Sequence, residues 1–490
     1  MLVSTRGGAK VTASRAILEG IAPDGGLYAP ETLPHFTLQQ IEALAPLPYA
    51  DRARHILGAL LDDYDDQELQ PICEAAYGAR FEKSDPAPLH TLNPQTHLLE
   101  LFHGPTLAFK DMALQIMPRL LALAARKNGM DKEICILVAT SGDTGKAALE
   151  GFCDVPGTRC VVFYPKDGVS RAQYLQMATQ EGANTHVVAV HGNFDDAQSG
   201  VKRIFSDAAF VEKMAARGRA LTSANSINYG RLAPQVVYYF SAYADLLARG
   251  AIQPGQTVHA VVPTGNFGNI LAAYYARRMG LPLGKLLCAS NANRVLADFI
   301  QTGVYDINRP FYRTSSPSMD ILISSNLERY LFELADHDPA KVNDWMQALQ
   351  LDRHYALDGA TLLRLHEAMV GGWVSDGEAM ENIRLACQAA NTLIDTHTAV
   401  GMALLNRYRT TTGDRTPAIV VATASPYKFG RAVARAMDLP DKSDFACCRR
   451  LARLLGQPVP ESIARLEHAV VRHDTTCAPE EMAETLLNLF

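Results

Sequence analysis

The chain is predicted to be an α/β protein whose parallel strands are joined by right-handed crossovers, and three observations carry that expectation. Short apolar runs recur at 134–139, 160–164, 186–190, 258–262, 285–289 and 418–422. Most are nearly continuous, as expected of strands covered on both faces. Helical patterns lie between several of them, for example 171–181 and 232–249. Finally, two glycine-rich loops each follow an apolar run and precede an alanine-rich one: Thr140-Ser-Gly-Asp-Thr-Gly145 and Pro263-Thr-Gly-Asn-Phe-Gly-Asn269.

The flanking regions read differently. Residues 1–98 carry helical patterns at 36–45 and 53–63, broken by turns such as Ala22-Pro-Asp-Gly-Gly-Leu27. The tail from 430 to 490 reads as mostly helical and polar. At 490 residues the chain exceeds one ordinary core, so two or three domains are expected. Hydrophobic residues at 48% and charged residues at 20% match a soluble globular enzyme. A net charge of −6 argues against nucleic acid or an anionic membrane as the main partner. No apolar stretch reaches the roughly 20 residues of a membrane span. The opening Met1-Leu-Val-Ser-Thr-Arg-Gly-Gly lacks a charged-then-apolar signal pattern, and the expected location is the cytoplasm. The nine cysteines are scattered without a Cys-x-x-Cys pair and read as reduced thiols, with adjacent Cys447 and Cys448 open to a redox role. No histidine spacing suits a metal, so none is expected.

A strand, glycine loop and helix N-terminus together aim several N–H groups at one anion. The loop at 140–145 is not a nucleotide phosphate loop: Thr140 stands where glycine is required, and Ala147 replaces the hydroxyl that would hold magnesium. No Gly-x-Gly-x-x-Gly follows any strand. By itself the loop is equally well a tight strand-to-helix turn. Lys110, in Leu101-Phe-His-Gly-Pro-Thr-Leu-Ala-Phe-Lys-Asp111, would alone read as a surface charge. Its apolar company changes that, because a desolvated amine loses affinity for its proton and becomes nucleophilic. Two anion cradles and such a lysine suit an enzyme that holds an aldehyde cofactor by its phosphate and by an imine.

Phe102-His-Gly-Pro-Thr-Leu-Ala-Phe-Lys-Asp111, Thr140–Gly145, Ser223-Ala-Asn-Ser-Ile-Asn228, Pro263–Asn269 and Ala422-Thr-Ala-Ser-Pro-Tyr-Lys-Phe429 together resemble the threonine synthase family. The opening Ser4-Thr-Arg-Gly7 and Leu18–Pro30, together with Ser318-Met-Asp-Ile-Leu-Ile-Ser-Ser-Asn-Leu-Glu-Arg329 and Asp395-Thr-His-Thr-Ala-Val400, resemble its longer subgroup. The matches run in order from about residue 4 to 430. One departure is Ala424-Ser-Pro426, where that subgroup usually shows Ala-His-Pro.

The resemblance implies a fold type II pyridoxal 5'-phosphate enzyme, with two doubly wound open α/β domains flanking the cofactor and an N-terminal mainly helical domain. The implied domains are 1–98, N-terminal; 99–134 with 231–430, the large cofactor-binding domain; 135–230, the small domain; and 431–490, a helical extension. It makes Lys110 the catalytic Schiff-base lysine. Gly265, Asn266, Phe267, Gly268 and Asn269 become the cradle of the cofactor phosphate, Thr423 faces the pyridine nitrogen, and Asp143 meets the ring oxygen. Ser141, Gly142 and Thr144 would receive the amino-acid carboxylate, and Asn225, Ser226 and Arg231 the substrate phosphate. The implied activity is that of a lyase in threonine biosynthesis, turning O-phospho-L-homoserine and water into L-threonine and phosphate. The implied partner is that small molecule alone, for a monomer or homodimer without nucleic acid or membrane. A phospholyase releasing 2-oxobutyrate, a serine or threonine dehydratase of the same fold, and a non-catalytic binding module remain as alternatives.

Overall fold

Residues 1–490 apart from Ser141, Ser170 and Phe490 are described by a computed structural model, and two sheets organise them. The larger has six strands in the order Met369–Trp373, Leu283–Ser290, Val258–Pro263, Ala418–Ala422, Thr96–Glu100 and Leu89–Asn93. All neighbours are parallel except the last pair, a hairpin closed where the Gln95 N–H donates to Asn93 Oδ1 at 3.0 Å. The smaller has five strands, all parallel, in the order Thr475–Cys477, Thr185–Val190, Thr158–Pro165, Glu133–Ala139 and Arg219–Thr222. The six apolar runs singled out in the sequence are six of these strands. Val258–Pro263 and Ala418–Ala422 are buried at every residue, the burial that an unbroken apolar run requires.

The tail supplies helices at Asp444–Leu455 and Met482–Asn488, and it also returns Thr475–Cys477 to the edge of the small sheet. Nothing in its sequence announces that strand. It is three residues long, and two of them are exposed, so alternation has no room to show. Strands Leu89–Asn93 and Thr96–Glu100 likewise belong to the large sheet, although they precede its first crossover.

Helix Tyr229–Ala248 runs through the interior and is buried along nearly its whole length, against Gly268–Arg278 and Tyr49–Leu60. The N-terminal region is fastened to it by Arg52, which donates to Ser241 Oγ at 2.7 Å and pairs with Asp245 at 2.6 Å. Among the described residues no helix is long and apolar enough to cross a membrane.

Helix Asp143–Phe152 of the small sheet packs on the short helix Asp111–Leu114, and glycine makes the contact possible. A Cβ on Gly151 would lie 1.9 Å from the Leu114 carbonyl oxygen, which is backbone and cannot swing aside. Gly151→Ala is therefore expected to destabilise the protein by about 1–3 kcal/mol through overpacking, although alanine is the better helix former. Urea unfolding measures it; an unchanged midpoint would show that the two helices are free to separate.

Candidate active site

The segment before Lys110 is held to the end of strand Ala418–Ala422. Phe109 N–H donates to the Thr423 carbonyl at 2.8 Å, Ser425 N–H donates to the Leu107 carbonyl at 3.0 Å, and Ala108 bridges Ala424. Asp111 latches the loop from within, accepting from Thr106 N–H at 2.8 Å and Thr106 Oγ1 at 2.9 Å. Burial pushes the Asp111 carboxyl up to about 7 against the pull of those two bonds. Lys110 thus sits at the first turn of Asp111–Leu114, immediately above the carboxyl end of a central parallel strand. That is where open α/β sheets place ligands.

Asp143 approaches Lys110 from the small sheet. Its Oδ2 lies 3.6 Å from Lys110 Nζ, and its Oδ1 lies 3.3 Å from Lys428 Nζ. The Lys428 side chain is only 2% exposed and donates to the Thr106 carbonyl at 2.7 Å. Burial pushes the Asp143 carboxyl up, but Lys428, Lys110 and His397 outweigh it and hold the group below the ordinary carboxylate range. For Lys110 the balance runs the other way. Burial lowers its pKa, Asp143 raises it, and the charges of Lys428 and Arg231 lower it again, leaving a net fall. A lysine so placed keeps an amine available for covalent chemistry. Lys146, the other lysine at this loop, is paired with Glu150 at 2.6 Å and donates to Gln180 at 2.6 Å.

The second loop makes an anion cradle. Helix Gly268–Arg278 begins from Phe267 in the left-handed region at φ 64°, and its first-turn N–H groups have no partner within the helix. Gly265 has Ser318 against it: a Cβ there would lie 2.6 Å from the Ser318 carbonyl oxygen. The buried Asn269 takes two phenols on its carbonyl, from Tyr238 at 2.8 Å and Tyr239 at 2.6 Å, while its Nδ2 has no partner among the described residues. Unpaired N–H donors without a carboxylate suit a phosphate.

A second group of unpaired donors lies in 223–231. Asn228 caps helix Tyr229–Ala248 by accepting from Gly230 N–H at 2.8 Å. Arg231, three residues into that structure, is only 5% exposed. One of its amines donates to the Ala224 carbonyl at 2.9 Å, and Nε finds no partner among the described residues. Ser223 Oγ is also buried without one. Burial alone lowers the guanidinium, to about 10. A desolvated cation with an open donor is a costly thing to build unless an anion visits it.

Of the residues expected from sequence, Lys110, Asp143 and Thr423 converge through these contacts. The loop 265–269 joins them through Ser318, whose Oγ donates to Asp143 at 3.5 Å. Gly142 is buried with φ 145°, and a Cβ there would meet Gln173 at 2.4 Å. Thr144 is half-buried, Asn225 is exposed, and the Ser226 carbonyl accepts from Asn326 at 3.2 Å. Ser141 lies outside the described residues. Sequence reading left Lys428, Ser318, Asn326, Arg329 and the buried pair His397–Asp395 without a role, although each stood inside a quoted motif. Cys447 and Cys448 are both buried free thiols, and burial pushes Cys448 up to about 12. Among the described residues no cluster of His, Cys, Asp and Glu could hold a metal ion.

Family models match along most of the chain: "Threonine synthase N terminus" over 1–77, "Pyridoxal-phosphate dependent enzyme" over 86–425 and "Threonine synthase, C-terminal" over 398–476. The chain belongs to the threonine synthase family of pyridoxal-phosphate dependent enzymes. It is 39% identical to threonine synthase of Pseudomonas aeruginosa over 89% of this chain and 90% of that one. It is 41% identical to human threonine synthase-like 1, but spans only 58% of that protein's length. Pyridoxal-phosphate-bound threonine synthase from Brucella melitensis superposes with a TM-score of 0.89 at 34% identity, covering 100% of this chain and 99% of that one. Yeast threonine synthase gives a TM-score of 0.89 at 31% identity, covering 99% of this chain and 98% of that one. The fold type II architecture with a helical N-terminal region is therefore that of the threonine synthases.

In this threonine synthase family member Asp143 carries a specific burden. Asp143→Asn would leave Lys428 and Lys110 facing each other without their shared counter-charge. The expected cost is about 3–5 kcal/mol, the scale of breaking a buried ion pair from one side. Urea unfolding of cofactor-free protein reads it, and a cost below about 1 kcal/mol would mean that water screens the cluster.

Proposed function

We propose that the chain is a threonine synthase, converting O-phospho-L-homoserine and water into L-threonine and phosphate. In this reading it works in the cytoplasm, as a monomer or homodimer. The observation that carries it is the buried Arg231, whose Nε has no partner among the described residues, with the unpartnered Ser223 Oγ in the same segment. This is a second anion site, and its charge is felt at Lys110. A dehydratase acting on serine or threonine has no substrate phosphate and no use for that pocket.

The residues present fit pyridoxal phosphate. Lys110 would carry it, the 265–269 loop with the open Asn269 amide would hold its phosphate, Thr423 its ring nitrogen and Asp143 its ring oxygen. When bound, the cofactor supplies an electron sink for carbanions next to the amino group. A neutral hydroxyl at the ring nitrogen does not enforce protonation as a carboxylate would. Gly142, Thr144 and Ser141 would take the substrate carboxylate. Asn225, Ser226 and Arg231, with Ser223, would take the substrate phosphate. Lys110 moves the proton at Cα and then at Cβ, which its lowered pKa favours. Phosphate leaves Cγ with the C–O electron pair while still held by the Arg231 fork. The protons taken from Cα and Cβ return at Cγ and Cα, and water adds its hydroxyl at Cβ while its proton goes to the phosphate.

Incubation of purified protein with O-phosphohomoserine tests the reading. Threonine is the expected product; 2-oxobutyrate would make the chain a phospholyase, and absence of reaction would refute both. Borohydride treatment of the yellow protein should fix a pyridoxyl group on Lys110, and mass mapping that finds it on Lys146 overturns the assignment. Arg231→Ala should lower kcat/KM for O-phosphohomoserine by a factor on the order of 10²–10³, on the scale of losing one charged donor to a desolvated oxyanion. Any slow reaction with serine should barely change. Equal losses on both substrates would make Arg231 structural.

A further inference from the structure

Every N–H turned toward an anion leaves its chain's carbonyls turned the other way, into the protein, where they need donors of their own. For both anion loops those donors come from one segment, Ser324–Arg329. Ser324 Oγ donates to the Gly265 carbonyl at 2.6 Å. Asn326 gives two donors to the Asn266 carbonyl, its N–H at 3.2 Å and its Nδ2 at 3.1 Å. The same Nδ2 also reaches the Ser226 carbonyl at 3.2 Å, in the other loop. Arg329 completes the arrangement. It is fully buried and donates to Asn326 Oδ1 at 2.5 Å, to the Ile227 carbonyl at 2.5 Å and to the Tyr28 carbonyl at 2.7 Å.

We propose that Asn326, oriented by Arg329, is a positioning residue that couples the two anion pockets by binding the backbone carbonyls of both loops with one amide. The proposal rests on reading those loops as sites for the cofactor phosphate and the substrate phosphate. It follows that the spacing of the two phosphates is set behind the loops, by a group that touches neither. Arg329 fixes which way the amide faces, because a guanidinium accepts nothing and so must meet the oxygen of Asn326. The Tyr28 contact brings the N-terminal region into the same frame. A change at that distance reaches both pockets through Arg329.

Asn326→Asp is the informative variant. It keeps shape and charge contact with Arg329, and replaces the shared donor by an oxygen that repels two carbonyls. Expected results in the holoenzyme are cofactor loss into an amine trap about tenfold faster and KM for O-phosphohomoserine about tenfold higher, each the scale of one lost hydrogen bond. The fall in kcat should be smaller, and the cofactor-free melting temperature should stay within a few degrees of the native one. Ser324→Ala, which touches one loop only, should hasten cofactor loss and leave KM in place. A change in only one of the two constants for Asn326→Asp, or in both for Ser324→Ala, overturns the proposal. If the native protein does not process O-phosphohomoserine, the functional reading alone has failed, and amide exchange of the holoenzyme decides the coupling. Faster exchange in both 222–232 and 262–270 upholds it, and faster exchange in one of them refutes it.

Discussion

The site depends on one buried carboxylate. Asp143 enters from the small sheet and meets two lysines that belong to the large one, Lys110 at 3.6 Å and Lys428 at 3.3 Å. A carboxylate stripped of water is affordable only with such partners, and two cations close together are tolerable only with such a carboxylate. Each half of the cluster is thus unstable without the other. That mutual need adds an ionic link between two sheets that also share a hydrophobic core, and it does so at the proposed Schiff-base lysine. Lys110 ends with a proton affinity below that of free lysine because burial, helped by the charges of Lys428 and Arg231, outweighs the pull of Asp143.

Stability has been spent at three further points around that cluster. Arg231, Ser223 and Asn269 each carry a buried polar atom with no partner among the described residues, and each lies in one of the two loops that face the proposed anions. Buried polar atoms are normally satisfied, and exceptions mark strain, function or an absent ligand. Here their chemistry is uniform: guanidinium N–H, amide N–H and hydroxyl, with donors prevailing over acceptors. Two phosphates would satisfy them together. Behind the same loops Ser324, Asn326 and Arg329 donate to the carbonyls of Gly265, Asn266, Ser226 and Ile227, so those carbonyls are satisfied on the side away from the open donors.

Much of this was legible in the residues. The six apolar runs became six strands because they are too short for a buried helix and, lying between turns, suit strands covered on both faces. The glycine loops were legible as well, because Gly142 at φ 145° and the close approach at Gly265 admit no other side chain. Lys110 stood out by its apolar neighbours, and its amine is buried, over the Phe109 ring at 5.3 Å. The edge strand Thr475–Cys477 was not legible, since three mostly exposed residues carry no period. Nor was the fate of Arg231. Near a helix start, an arginine reads as a solvated charge; here the Asn228 cap is real, yet the guanidinium is buried.

By itself the sequence determined the local chemistry: which runs become strands, where the chain must turn without a Cβ, and which lysine is surrounded by apolar side chains. These follow from neighbours within about ten positions, the range over which period and propensity act. Tertiary structure alone decided the partnerships. Lys428 reaches Thr106 across 322 positions, Ser318 reaches Asp143 across 175, and Asn326 reaches Ser226 across 100. Charge balance at Lys110 and the spacing of the two anion pockets depend on those contacts. Coulomb energy and hydrogen bonding act through space, and sequence order does not record the distances on which they depend.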